Sequence, residues 1–248
     1  MFTLIGYTAA AQGISAVLAA VPAISDPHVR VNVNDIIVPR GLNKLIGCLP
    51  VGATITRAQL QSPSLRAFVN HDVIPVDAAA IPSSPSLFLP WFYDPISLQE
   101  DEALNALVTN TAADRESVLV WLADGPVSPL DVDFRTIRAS ATTTLVAGAW
   151  TNCILTLDQV LPAGQYAVVG LRARSTNMIA ARMVFVNYQW RPGVPGAQAI
   201  GHNQYAYWRQ GNVGEFGRFQ HNTPPTIDCL ANAGDTAETF ELDIIKVA

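Results

Sequence analysis

The residues able to do chemistry are few and scattered. His28, His71, His202 and His221 are the chain's four histidines, and none stands in a recognised catalytic spacing. No serine sits in a Gly-x-Ser-x-Gly elbow, which closes the common route to a serine hydrolase. Asp131 and Asp133 fall two apart and would share a strand face, while Asp72 and Asp77 flank Pro75. Such oxygens suit Ca²⁺ or Mg²⁺, or equally a loop in which aspartates cap backbone amides. His71 beside Asp72, joined through folding by His202 or His221, would make a cupin-like metal site, although the spacing of a metal motif is absent. Gly211, Gly214 and Gly217 recur every third residue but follow no clean strand and open no helix, so loop glycines are a better reading than a phosphate cradle. No catalytic residue, metal ligand or cofactor site is assigned, and the chain is not expected to be an enzyme.

One stretch is rich in a different chemistry. Tyr205, Tyr207, Trp208, Arg209, Phe216, Arg218 and Phe219 crowd between the glycines. Tyr, Trp and Arg concentrate at the energetic centres of protein interfaces, so this loop is read as a subunit interface. The alternative is a carbohydrate-binding groove, because aromatic faces bury sugar rings.

Composition favours association. Half of the 248 residues are hydrophobic and only 14% are charged, against roughly 25% in ordinary soluble domains. A surface so short of charge is expected to be hidden against copies of the same chain. Lys44 and Lys246 are the only lysines, and the arginines that replace them are the cations interfaces favour. The net charge of −5, with no basic block, excludes strong direct binding to a nucleic-acid backbone. Cys48, Cys153 and Cys229 are odd in number and far apart, which fits small buried residues better than a disulfide framework or metal site.

The elements that would position these residues are mostly strands. Phe2 to Tyr7 reads as a short strand, followed by a helix capped by Thr8 with Ile14, Val17, Leu18 and Val21 along one stripe and ended by Pro22 and Pro27. Residues 1–27 are thus expected to be an arm that reaches a neighbouring subunit, its own body or a membrane surface. Val29, Val31 and Val33 alternate with polar residues, as on one buried strand face. Further strands are expected at Lys44 to Leu49, Thr54 to Gln61, Leu65 to Asn70, Ser86 to Phe92, Ser117 to Ala123 and Phe134 to Val146. Trp150 to Leu157, Gln165 to Arg174 and Met178 to Tyr188 follow, joined by turns into an antiparallel meander, with a last strand at Thr239 to Val247. Leu98 to Thr109, opened by Glu100, Asp101 and Glu102, reads as a helix. This is an all-β pattern: residues 28–248 form an antiparallel β-sandwich with long loops, or two packed sandwiches dividing near residue 140.

Three segments, Ala58-Gln59-Leu60-Gln61-Ser62-Pro63-Ser64-Leu65-Arg66, Leu161-Pro162-Ala163-Gly164-Gln165-Tyr166-Ala167-Val168-Val169-Gly170 and the Gly/aromatic stretch ending in Phe219, give the chain its resemblance. In architecture it resembles the jelly-roll capsid proteins of tailless viruses and phages, especially those that coat an internal membrane. The resemblance implies a jelly-roll sandwich, homo-oligomeric capsomers tiling a shell with or without other capsid proteins, and a place in the virion after assembly in the host cytoplasm. Many such proteins carry a basic arm; here the arm is neutral and alanine-rich, which suits subunit clamping or lipid contact.

Overall fold

Strand after strand in this chain is apolar on both faces, and the layering explains why. The computed structural model describes residues 1–9, 17–19, 21–22, 28–66, 71–73, 94–112, 115–128, 130–197 and 214–248. The first half holds β1 (Phe2–Ala9), β2 (Val17–Ala19), β3 (Val21–Pro22), β4 (Val31–Asn32), β5 (Asp35–Ile37), β6 (Lys44–Val51), β7 (Ile55–Gln61), the single helical turn α1 (Pro63–Arg66), β8 (His71–Val73), β9 (Ile96–Ser97), β10 (Ala103–Asn110) and β11 (Glu116–Ala123). The second half holds β12 (Arg135–Ala141), β13 (Trp150–Ile154), β14 (Thr156–Leu157), β15 (Gln165–Arg174), β16 (Met178–Val184), β17 (Gly193–Ala197), β18 (Gly217–Gln220), β19 (Thr226–Ala231) and β20 (Glu238–Lys246).

Among the described residues, no ladder joins residues 2–123 to residues 135–246. In the first half, the order β1-β11-β6-β9 faces β5-β10-β7-β8; in the second, β12-β20-β15-β18 faces β13-β19-β16-β17. With β2 and β5 counted as one strand and the two-residue β3, β4 and β14 left out, both sandwiches place the first, eighth, third and sixth of eight strands in one sheet and the second, seventh, fourth and fifth in the other. That order is a jelly roll. In the first sandwich β2 and β5 share the second place, each pairing with a different part of β10. In the second, β17 also touches β15 in parallel, so its two sheets run into one another at that edge.

The first core lies between Ile5, Tyr7, Leu45, Cys48, Val118 and Val120 on one sheet and Ala58, Leu60, Leu104, Ala106 and Val108 on the other. Tyr7 spans it, its hydroxyl donating to the Leu104 carbonyl at 2.7 Å. Ile137, Leu171, Phe240 and Leu242 line the second core together with Ile179, Met183, Ile227 and Cys229. The three cysteines are free and buried, as their spacing suggested.

Several expectations need correction. The helix expected from Thr8 is absent from the described residues: Thr8 lies inside β1, and Val17, Leu18 and Val21 lie on β2 and β3. Their alanine-rich spacing fits a helix stripe, but β1 and β10 offer unpaired edges, and ladder bonds to them outweigh helix propensity. The helix expected over Leu98 to Thr109 is the strand β10, with Leu104, Ala106 and Val108 inward in strict alternation. The acidic triplet before it belongs to a turn, where Asp101 adopts φ 63°. Asp101 pairs with Arg30 and Arg40, and the Arg40 hydrogen bond leads in holding its carboxyl below the usual range. Val29 is buried, but Val31 and Val33 are exposed, because the chain reverses through Val33 at φ 57° into the β4–β5 hairpin. The expected meander also fails: β15 and β16 lie in opposite sheets and pair with β20 and β19. A jelly roll rolls up paired ribbons, so a local turn there marks a corner and not a hairpin. The strands expected at Leu65 to Asn70 and Ser86 to Phe92 fall wholly or partly outside the described residues.

Candidate assembly surface

The four sheets stack in series, and the middle contact is between the two sandwiches. The even-numbered residues of β1 point away from the first core. Gly6 meets the side chains of Leu230 and Trp150 from the second sandwich, and Leu4 reaches Gly193. A Cβ at Gly6 would lie 2.8 Å from Leu230 and 3.2 Å from Trp150, so glycine is needed for the close approach. Leu4, Leu49, Leu119 and Trp121 join the second sandwich's residues in one continuous core.

Polar groups fix the register of this seam. The Leu4 amide donates to the Arg191 carbonyl at 3.0 Å, and the Trp121 indole donates to the Gly193 carbonyl at 2.9 Å. Thr8 donates to the Gly148 carbonyl at 3.2 Å. Arg182, 1% exposed, donates to Asp228 at 3.1 Å and to the Leu4 carbonyl at 3.3 Å. Its guanidinium also lies 4.1 Å from the Trp150 ring centre, and Arg191 reaches the same Asp228 at 3.4 Å. A planar cation that stacks and forks suits this place; lysine would not.

The stacking leaves two sheet faces on the outside. One, on β10 and β7, carries Arg57, Gln59, Gln61, Asn105, Leu107 and Thr109, in register opposite one another. The other, on β12, β20 and β15, carries a charged cluster whose centre is already buried within the chain, Arg172 at 2% exposure and Asp243 at 0%, so that its open part is the β12 margin. Arg172 grips Asp243 with two bonds of 2.7 and 2.8 Å and Glu241 with one of 2.9 Å. Thr136 donates to Asp243 at 2.6 Å, and Arg174 reaches Glu241 at 3.3 Å. Gly170 makes room, since a Cβ there would lie 2.5 Å from an Asp243 carboxylate oxygen. Arg138 and Ser140 stand exposed beside the cluster.

The residues singled out from sequence are distributed as follows. Ile14, Tyr205, Tyr207, Trp208 and Arg209 lie outside the described residues. Val17 pairs opposite Thr109, Leu18 opposite Val108 and Val21 opposite Thr8, all within the chain. Phe216 is buried in edge-on contact with Phe2, and Phe219 is buried and stacked on Tyr166. Their surface is therefore consumed inside the molecule. Arg218 is exposed and paired with Glu215 at 2.7 Å. Sequence reasoning missed Arg172, Arg182 and Asp243; the alternation of charge with apolar residues in Leu171 to Arg174 and Phe240 to Asp243 was the available signal.

The residues named for catalysis or metal binding are placed as follows where the structure describes them. Asp131 and Asp133 are exposed, and His221 accepts a hydrogen bond from the Gly164 amide at 3.3 Å, closing the turn before β15. His202 and Asp77 lie outside the described residues. Among the described residues no group of three or more His, Cys, Asp or Glu side chains is placed to hold a metal ion, and no helix is long and apolar enough to cross a membrane.

No family model matches the chain, and no curated protein matches it either. Among solved structures, the chain is similar to the major capsid protein P2 from bacteriophage PM2 at 9% identity, covering 100% of this chain and 98% of that one with a TM-score of 0.24. Overlap at that level establishes neither fold nor function.

Proposed function

We propose that the chain is a self-assembling structural protein, a viral or phage shell subunit whose two jelly rolls associate with those of other copies through their outer sheet faces. The observation that carries this reading is the repeated roll and the way the two repeats stack. Inside the chain, the β1-β11-β6 face of the first sandwich packs on the β19-β16 face of the second. The faces left outside, β10-β7 and β12-β20-β15, are the counterparts of those two in the other sandwich. On this reading copies associate head to tail through these faces, which hold the same place in the topology as the seam's faces but carry polar groups where the seam is apolar. Such a contact is heterologous, and it closes into a ring when its rotation divides the circle. Rings of flat-sided sandwiches are tiles from which a shell can be laid. The low charge and the scarcity of lysine support the same reading.

On this reading the structural units are residues 2–123 and 135–246, which places the division within residues 124–134. Electron microscopy of the purified protein tests the proposal: ring-shaped particles or closed shells are expected. Single-chain particles alone, at a concentration where shells should form, would contradict it.

A further inference from the structure

At one end of the seam, where β1 begins and the turn after β16 passes the start of β18, a cleft of about 290 Å³ opens to solvent. It is lined by Tyr188, Trp190, Ser128 and Glu215 together with Phe2 and Phe216, whose rings are almost wholly buried beneath it. Local structure sets these groups. Asn187 takes φ 67° and the Tyr188 amide bonds back to the Phe185 carbonyl, so the reversal swings the Tyr188 ring outward, where it is 37% exposed. Trp190 is partly buried against the first core, and Phe216 is pinned by Phe2. The cleft is therefore built from groups already held in place, with little ordering cost left to binding.

Its chemistry is specific. Aromatic faces offer a flat apolar platform with a negative quadrupole, which suits the C–H face of a sugar ring. Glu215 accepts from Arg218 at 2.7 and 3.1 Å, one bond to each oxygen, and each oxygen keeps a second lone pair for a hydroxyl donor. Among the described residues the Tyr188 and Ser128 hydroxyls make no hydrogen bond within the chain, leaving a donor and acceptor each for a ligand. An organic cation, the other usual guest of aromatic walls, is disfavoured because the Arg218 guanidinium already neutralises Glu215. We propose that this cleft is a carbohydrate subsite that takes a neutral pyranose, its ring face on Tyr188 and Trp190 and its hydroxyl edge on Glu215. The inference concerns one chain and does not depend on assembly.

Saturation-transfer NMR on the full chain, with a panel of neutral methyl pyranosides and with phosphocholine, tests it. At least one pyranoside should receive saturation on its ring protons, and Tyr188→Ala and Glu215→Gln should each weaken its binding by about tenfold at an unchanged melting temperature. Glu215→Gln keeps the test decisive if the tyrosine variant fails to fold. Saturation of phosphocholine alone, of no pyranoside, or equal binding by the folded variants would overturn the proposal.

Discussion

The β1-β11-β6 face of the first sandwich and the β12-β20-β15 face of the second occupy the same place in the same topology, yet their chemistry is opposite. The first presents Leu4, Gly6, Leu119 and Trp121 and is permanently covered by the neighbouring roll. The second carries Thr136, Arg138, Arg172, Arg174, Glu241 and Asp243, with Arg172 and Asp243 cross-bonded and buried and the β12 margin exposed. A face that is never uncovered can be apolar. A face that carries charge into the interior keeps it paired, so that burying Arg172 and Asp243 strands neither. One roll topology thus yields an apolar packing surface in one sandwich and a cross-bonded charged one in the other.

Substitutions can break this comparison. The largest effect is expected from Arg182→Ala, which leaves the buried Asp228 carboxylate with the Asn152 amide at 2.8 Å and the longer Arg191 contact at 3.4 Å and empties the space over Trp150. Its cost should be about 3–5 kcal/mol of unfolding free energy, read by urea denaturation; a loss comparable to that of a surface variant would show that the seam is not integral to the fold. Next, Gly170→Ala drives a methyl into the Asp243 carboxylate and should cost about 1–3 kcal/mol, read from the same curves. A neutral result would mean that the Arg172 cluster is loosely held.

Glu238 sharpens the contrast from inside the second sandwich. Its side chain is buried, and among the described residues neither carboxylate oxygen has a hydrogen-bond partner. Burial, followed by the Asp235 charge, pushes its carboxyl up from the ordinary value. A raised folded-state pKa means that its stabilising contribution is fully present below the ordinary carboxylate value and lost as pH rises through the raised one. Glu238→Gln should therefore stabilise the protein near neutral pH and flatten that part of the profile; an unchanged profile would contradict the account. The smallest effect on folding is expected from Arg138→Glu, within about 0.5 kcal/mol of the parent. Association should nonetheless weaken, and a variant that assembles as the parent does would remove the β12 face from the interface.

Much of the fold was legible because period two survives wherever a strand has one wet face or a long β-branched run. Phe2 to Tyr7, Gln165 to Arg174 and Thr239 to Val247 sit where alternation and composition placed them. What was hidden is pairing. Met178 to Val184 finds its partners at Thr226 to Ala231 and Gly193 to Ala197, and nothing local in either segment encodes so distant a neighbour. β10 was misread because Leu104, Leu107 and Val108 satisfy a helical spacing while Leu104, Ala106 and Val108 satisfy a strand, and the small Ala106 concealed the second pattern. The candidate surface was legible only in its ingredients. Arginine's prominence was visible, but Arg172 and Arg182 act within the chain, and Phe216 and Phe219 serve cores that the Gly-rich context disguised.

The central claim is that outer faces equivalent to those in the seam bind copies of the same chain. Light scattering coupled to size-exclusion chromatography at micromolar concentration tests it most directly. A single mass at a fixed multiple of the 26.6 kDa chain, shifted toward smaller species by Arg138→Glu, is the predicted result. A parent protein that elutes at the mass of one chain across the accessible concentration range would contradict it.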